Sequence, residues 1–199
     1  MDTLEAIQQR RAVKYFDPHH QMTEEEINRL LSLTVLSPTS SNVQNWRFVL
    51  VQDRLLRAKI REAAWDQPQV TDASLLIILC ATKSFYKDAE RYYTNIPEEK
   101  RKVLAENISA FYADKEELII DEGHRSCGIA AQTMMLAAKA MGYDSCPLVG
   151  FDFKKVGKLI RLPKDHIISM MVVLGKALKP AFERGDQLPL KEVIIHNHF

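Results

Sequence analysis

Three cations fall within five positions at Arg10-Arg11-Ala12-Val13-Lys14. The plain account is a helix end whose cations offset the negative end of the dipole, worth ~0.3–1 kcal/mol each. The chemical account is an anion clamp. Arginine presents a planar fork that matches two phosphate oxygens, and charge-assisted bonds of this kind contribute ~1.5–3 kcal/mol. A second concentration, Ser37-Pro-Thr-Ser-Ser-Asn-Val-Gln-Asn-Trp46, holds four hydroxyls and three side-chain amides before a large aromatic. If extended, it points Ser40, Asn42 and Gln44 the same way, as the wall of a flat polar heterocycle or its sugar-phosphate tail. The plainer account is a turn in which Ser37 or Thr39 satisfies nearby backbone, with Trp46 as a core anchor beneath. In the third stretch, Pro147-Leu-Val-Gly150, the glycine either permits a turn or lets backbone N–H groups approach a ligand.

Several familiar sites are missing. No GxGxxG and no GxxxxGK[ST] occurs, so neither dinucleotide fingerprint nor P-loop is present, and there is no GxSxG elbow. The six histidines form no HExxH or similar pair, which argues against a metal. The net charge of +1 gives no global field for nucleic acid or an anionic membrane. Cys80, Cys127 and Cys146 make no CxxC pair, and no secretory leader opens the chain, so a reduced, cytoplasmic protein is expected. The longest apolar runs, 75–81 and 170–174, are strand-sized and too short to cross a bilayer.

The elements that must position these clusters follow from periodicity and caps. A short helix is expected over 2–11. Thr23-Glu-Glu-Glu26 is a capping box opening a helix to about Leu36, which Pro38 ends. Strands are expected over 47–52, 75–81 and 167–174, and Asp53 caps a helix through about Ala64. Residues 83–120 alternate charged and aromatic positions without a clear pattern, save that Pro97 suits the first turn of a helix. A helix apolar nearly all round runs over 123–141, with Gly142 as its C-cap. Cys146–Asp152 reads as a tight turn into a short helix, and 188–195 as extended or helical. With 199 residues, no linker and no repeat, one domain over 1–199 of α+β class is expected.

Arg-Arg-Ala-Val-Lys-Tyr-Phe-Asp near residue 10, the hydroxyl-rich loop near 40, Asp66-Gln-Pro-Gln-Val-Thr-Asp-Ala-Ser74 and Pro-Leu-Val-Gly-Phe-Asp near 147 stand in an order that resembles the nitroreductase family. The resemblance covers nearly the whole chain. It implies a mixed central sheet wrapped by helices, in a homodimer with exchanged tails and two FMN sites at the subunit interface. It makes Arg10, Arg11 and Ala12 contacts to the FMN phosphate and ribityl region and puts Lys14 by the N1/C2 edge. Pro38, Thr39, Ser40 and Asn42 come from the other subunit. Gln67 meets the pyrimidine edge. Leu148, Val149 and Gly150 pass along the other side, with a backbone N–H near N5. Arg184, with Lys179 in reserve, is the C-terminal phosphate contact. Val149 stands where relatives often carry an acid, and Asp66 where they often carry an amide.

The activity so implied is hydride transfer from NAD(P)H through flavin N5 to an electron acceptor such as a nitroaromatic or quinone, by ping-pong and without an essential acid or base. The aromatic residues of 83–120 either shape the acceptor pocket or pack a core. The competing class is a non-catalytic flavin sensor or interaction protein.

Overall fold

The computed structural model describes all 199 residues. At its centre is a four-stranded sheet in the order β1-β2-β4-β3, formed by β1 (Trp46–Leu50), β2 (Leu75–Thr82), β3 (Asp144–Leu148) and β4 (His166–Gly175). All three ladders are antiparallel. The parallel pairing in the molecule is the bridge of Ala12 to Ser145, which lays the segment after the first helix against the outer edge of β3.

β2 is buried along its whole length, and its two faces go to two cores. Leu76, Ile78 and Cys80 face a cluster with Ile60 and Ala63 of α3 (Arg54–Ala63) and Val156 of α7 (Phe153–Leu159). Leu75, Ile77, Leu79 and Ala81 face Cys127, Ala130, Met134 and Ala138 of α6 (Glu116–Ala140), with Leu30 of α2 (Glu24–Thr34) behind. This is the period-2 split of a strand covered on both sides. Each buried Leu or Ile contributes ~1.5–3 kcal/mol. The register slips by one residue opposite Leu79/Cys80, leaving Ser169 of β4 as the extra residue of a bulge. Across it, Ile168 and Met171, three apart, both reach the α3/α7 core.

Local signals account for the helix ends. Asp2 caps α1 (Thr3–Gln9) by accepting from Glu5 N–H. Thr23 and Glu26 form both bonds of the capping box, and Asp53 and Asp152 cap α3 and α7. α6 ends in a Schellman motif: Tyr143 N–H reaches Ala138 O and Gly142 N–H reaches Lys139 O, with Gly142 at φ +82°.

Four expectations are corrected. Cys146-Pro-Leu is no turn but the body of β3, because an edge strand tolerates a proline whose nitrogen faces outward; the turn starts only at Val149. α6 begins at Glu116, seven residues before the apolar run, because Ile119 and Leu118 in its first turn pack into the cluster around Phe85 and Tyr112. Gly123 lies inside it, where an added Cβ would meet Ile167 Cδ1 at 2.9 Å and Ala81 Cβ at 3.0 Å, so it marks close helix-on-sheet packing rather than a start. Residues 83–120 resolve into a 3-10 segment, Phe85–Tyr92, and α5 (Glu98–Tyr112), packed around Phe85, Ile108 and Tyr112. Finally, 40–42 is a 3-10 turn with left-handed Ser41, Asn42 and Gln44, so the alternation inferred for an extended loop does not hold. The short α4 (Gln69–Asp72) and α8 (Leu190–Val193) complete the chain.

Candidate active site

The first cluster is anchored by its apolar residues. Val13 and Phe16 are buried, Val13 N–H donates to Ser145 O at 3.0 Å, and Phe16 bridges Ala177. Arg10, Arg11 and Lys14 are thereby held, half-buried, beside β3. Burial pushes the Cys146 thiol above its usual range, while the Lys14 ammonium and the Arg10 guanidinium beside it pull the other way. The C-terminal segment adds a fourth cation. Arg184 Nη2 donates to Gln8 O and Arg10 O, both at 3.0 Å, and Arg11 Nη2 donates in return to Phe182 O. The ion pairs of the chain all lie elsewhere, so these four cations share no carboxylate. Lys179, the reserve candidate, lies over the Tyr15 ring at 4.8 Å.

The second group gathers at the other end of β3. After α3 the chain passes through Trp65 and Asp66, both left-handed at φ 54° and 56°. Arg61 pins this turn, Nε to Asp66 Oδ1 at 2.7 Å and Nη1 to Thr71 Oγ1 at 3.0 Å. Asp66, where an amide was the family expectation, is thus engaged in an ion pair. Gln67 Nε2 donates to Gly150 O at 2.8 Å and its Oε1 accepts from buried Gln69 at 2.8 Å. One N–H and one lone pair of Gln67 stay free for a ligand. An added Cβ on Gly150 would meet Trp65 Cζ3 at 2.9 Å, so glycine permits this close approach. Leu148 is buried and Val149 is exposed. Gly150 lies five positions past Ser145, a reach of at most roughly 16 Å along extended chain. Cations therefore stand at one end of a strip that carries an amide and a glycine at the other.

The third group is not brought to this strip. Ser37 Oγ donates to Thr34 O, Thr39 Oγ1 accepts from Gln44 N–H, and Ser40 Oγ accepts from Tyr112 Oη at 3.0 Å. Asn42 Nδ2 donates to Tyr92 O at 3.4 Å. Part of the loop's decoration is therefore spent within its own chain. Pro38, Ser40 and Asn42 stay exposed and Thr39 half-buried. Trp46 is the expected core anchor, buried and stacked on Phe48 at 5.4 Å. The loop feeds β1, at the opposite edge of the sheet from β3. Trp46 also pairs with Ala81, at the opposite end from the Leu75–Leu174 row that Ser145 joins. Strand spacing and rise put the corners on the order of 20–25 Å apart.

Two contributors escaped the sequence reading. Trp65 is 71% exposed against Gly150, and the visible signal was an indole in a polar turn. Gln69 holds Gln67; it stands in the Asp66–Ser74 stretch that carries the resemblance, with no role of its own assigned there. Of the aromatics in 83–120, Phe85 and Tyr112 are buried edge-to-face at 4.8 Å and belong to a core. Tyr93 and Phe111 line a hollow of about 300 Å³ with Ser40 and Ser41. No group of His, Cys, Asp and Glu is arranged to hold a metal ion, and no helix is long and apolar enough to cross a membrane.

A family model described as "Nitroreductase family" matches residues 7–176. Protein DrgA of Synechocystis sp. is 50% identical over 182 residues, covering 91% of this chain and 87% of that protein. YodC of Bacillus subtilis, provisionally named an NAD(P)H nitroreductase, is 28% identical over 198 residues, covering 96% and 97%. A solved structure from Staphylococcus epidermidis, provisionally described as an NAD(P)H:FMN oxidoreductase, superposes with a TM-score of 0.92 at 26% identity, covering 98% of this chain and 95% of that one. The α+β architecture, the cation-to-glycine strip along β3 and these likenesses agree: the chain belongs to the nitroreductase family.

Proposed function

We propose that this chain, as one unit over residues 1–199, is a cytoplasmic FMN-dependent NAD(P)H oxidoreductase that passes electrons to nitroaromatic or quinone acceptors as a homodimer. One observation carries it: four cations without a carboxylate converge at one end of β3, and Gln67 and Gly150 close its other end. That donor set fits a group with a phosphate at one end and a flat, hydrogen-bonding ring at the other. Arg10, Arg11 and Arg184 would hold the phosphate, with backbone from Ala12. Lys14 would set a positive charge near the ring, Gln67 would offer its spare N–H and lone pair, and Leu148-Val149-Gly150 would flank the ring. When bound, FMN supplies hydride transfer between nicotinamide and acceptor. The protein contributes position and charge, which is why no acid–base pair is needed.

The second subunit follows from the third group. Pro38, Thr39, Ser40 and Asn42 lie too far from their own Arg10–Lys14 to share one ligand with it, which supports a site completed by another chain's copy. Apolar surface left open on the molecule favours the same conclusion: Leu4 and Ile7 on α1, Leu36 after α2, Ile129 on α6, and Phe182 and Leu190 in the tail are all exposed. The free, buried cysteines suit a reducing compartment. The FMN assignment is also supported by the description of the Staphylococcus epidermidis relative.

The purified protein is expected to be a yellow dimer that NADH or NADPH bleaches and that a quinone or nitro compound re-oxidises. A colourless protein that takes up no FMN overturns the reading, and a yellow one that neither nicotinamide bleaches is a flavin sensor.

A further inference from the structure

α7 closes without glycine. Leu162 N–H reaches Gly157 O at 2.9 Å and Arg161 N–H reaches Lys158 O at 3.2 Å, the two bonds of a Schellman motif. α6 uses Gly142 for the left-handed position of that motif; α7 puts Arg161 there, at φ +53°. An L side chain is strained in this region, and strain of this kind gathers where a side chain has a task. Arg161 stands on the rim of a groove of about 590 Å³ with Lys154, Lys158 and Lys164, and no carboxylate lines it. None of these four cations takes part in an ion pair; the neighbouring Lys155 instead faces Glu62 at 3.9 Å. The helix dipole accounts for Lys158 and Arg161 at the C-terminal end. It does not account for Lys154, which sits in the first turn where a cation is disfavoured. The walls between the cations are apolar: Leu162, Ile168 and the half-open ring of Phe153. By contrast the adjoining groove, which shares Lys164 and adds Lys83, Lys87 and Lys115, is neutralised by Asp114, Glu116 and Asp165.

We propose that the α7 groove binds a purine nucleotide, its phosphates among Lys154, Lys158, Arg161 and Lys164 and its base on Phe153 and the apolar wall. The volume suits a ligand of this size. The same chemistry has two sources: a free nucleoside polyphosphate, or the adenosine 2′-phosphate end of NADPH. The second rests on the oxidoreductase reading, and Phe153 follows Gly150 by only three residues.

The full-length protein is titrated calorimetrically with ATP, with 2′,5′-ADP and with adenosine. Saturable binding of at least one phosphorylated probe, weakened about tenfold by Arg161→Gly and by Lys158→Gln, is expected from the loss of one charge-assisted bond each. Lys155→Gln should bind as the wild type does. Glycine suits φ +53°, so the Arg161→Gly protein should melt no lower than wild type, and weaker binding cannot be put down to misfolding. Tighter binding of 2′,5′-ADP than of ATP, with a raised KM for NADPH relative to NADH in Arg161→Gly, assigns the groove to NADPH. Tighter binding of ATP assigns it to a free nucleotide. Absence of saturable binding, equal binding of adenosine, or binding that survives both substitutions overturns the proposal. Calorimetry needs no turnover, so a failed oxidoreductase reading would leave the binding result standing.

Discussion

Lys14 shares its surroundings with a thiol that burial holds protonated and with Arg10, and it has no carboxylate to neutralise it. An ammonium so placed is free to meet an anion, and its removal deletes a charge without unpairing another. Lys14→Ala is expected to weaken FMN retention about tenfold, the loss of one charge-assisted contact, and to lower the midpoint potential of the bound flavin. Fluorescence titration and a redox titration read the two effects. Unchanged affinity together with an unchanged potential would remove Lys14 from the site. The cations were legible in the sequence because residue type alone declares them. Their meeting with Arg184 was not legible from pattern: it depends on the tail crossing back over 170 positions to dock on the last carbonyls of α1.

Caps, Gly142 and the apolar runs located α2, α3, α6 and three of the four strands, since each of those signals is local. β3 was hidden because Pro147 reads as a breaker until its edge position is known, and the left-handed Ser41–Gln44 turn is fixed by Tyr93 and Tyr112 from far along the chain. Contacts between elements also set two stability tests. Tyr143, just past α6, donates to Glu26 of α2 at 2.6 Å, and this bond, followed by those from Thr23, lowers the carboxyl from 4.5 to about 2. The folded value is depressed, so the stabilisation is present above about pH 4.5 and is lost as pH falls toward 2. In Tyr143→Phe the part of the melting temperature lost between pH 5 and pH 2 should shrink; an identical acid profile would refute the linkage. At the end of β4, an added Cβ on Gly175 would meet Ser74 N at 2.9 Å and Phe16 Cδ1 at 3.1 Å. Backbone cannot swing aside, so Gly175→Ala should cost about 2 kcal/mol, or roughly 4–8 °C in Tm for a chain of this size. A melt within 1 °C of wild type would show that the sheet end gives way more easily than its packing implies.

Beyond Ala181 every residue is exposed, including Leu188, Ile194 and Ile195, and the arm is held mainly through Arg184 and the carbonyl of Phe182. An apolar arm gains little from water. If it lies across a second copy, deletion of residues 185–199, which spares Arg184, should shift the protein toward monomer in sedimentation velocity and weaken FMN in step. An undiminished dimer would place the main interface on α1 and α6 alone.

The outer rim of β3 has a bearing on how this molecule avoids association of the wrong kind. Ser145 has already given its outward carbonyl to Val13, and Pro147 has no hydrogen to offer at the next outward position. A stray strand approaching there finds neither rung of the ladder it would need. Growth by sheet extension is barred on that side, which leaves β1 as the sheet's other edge.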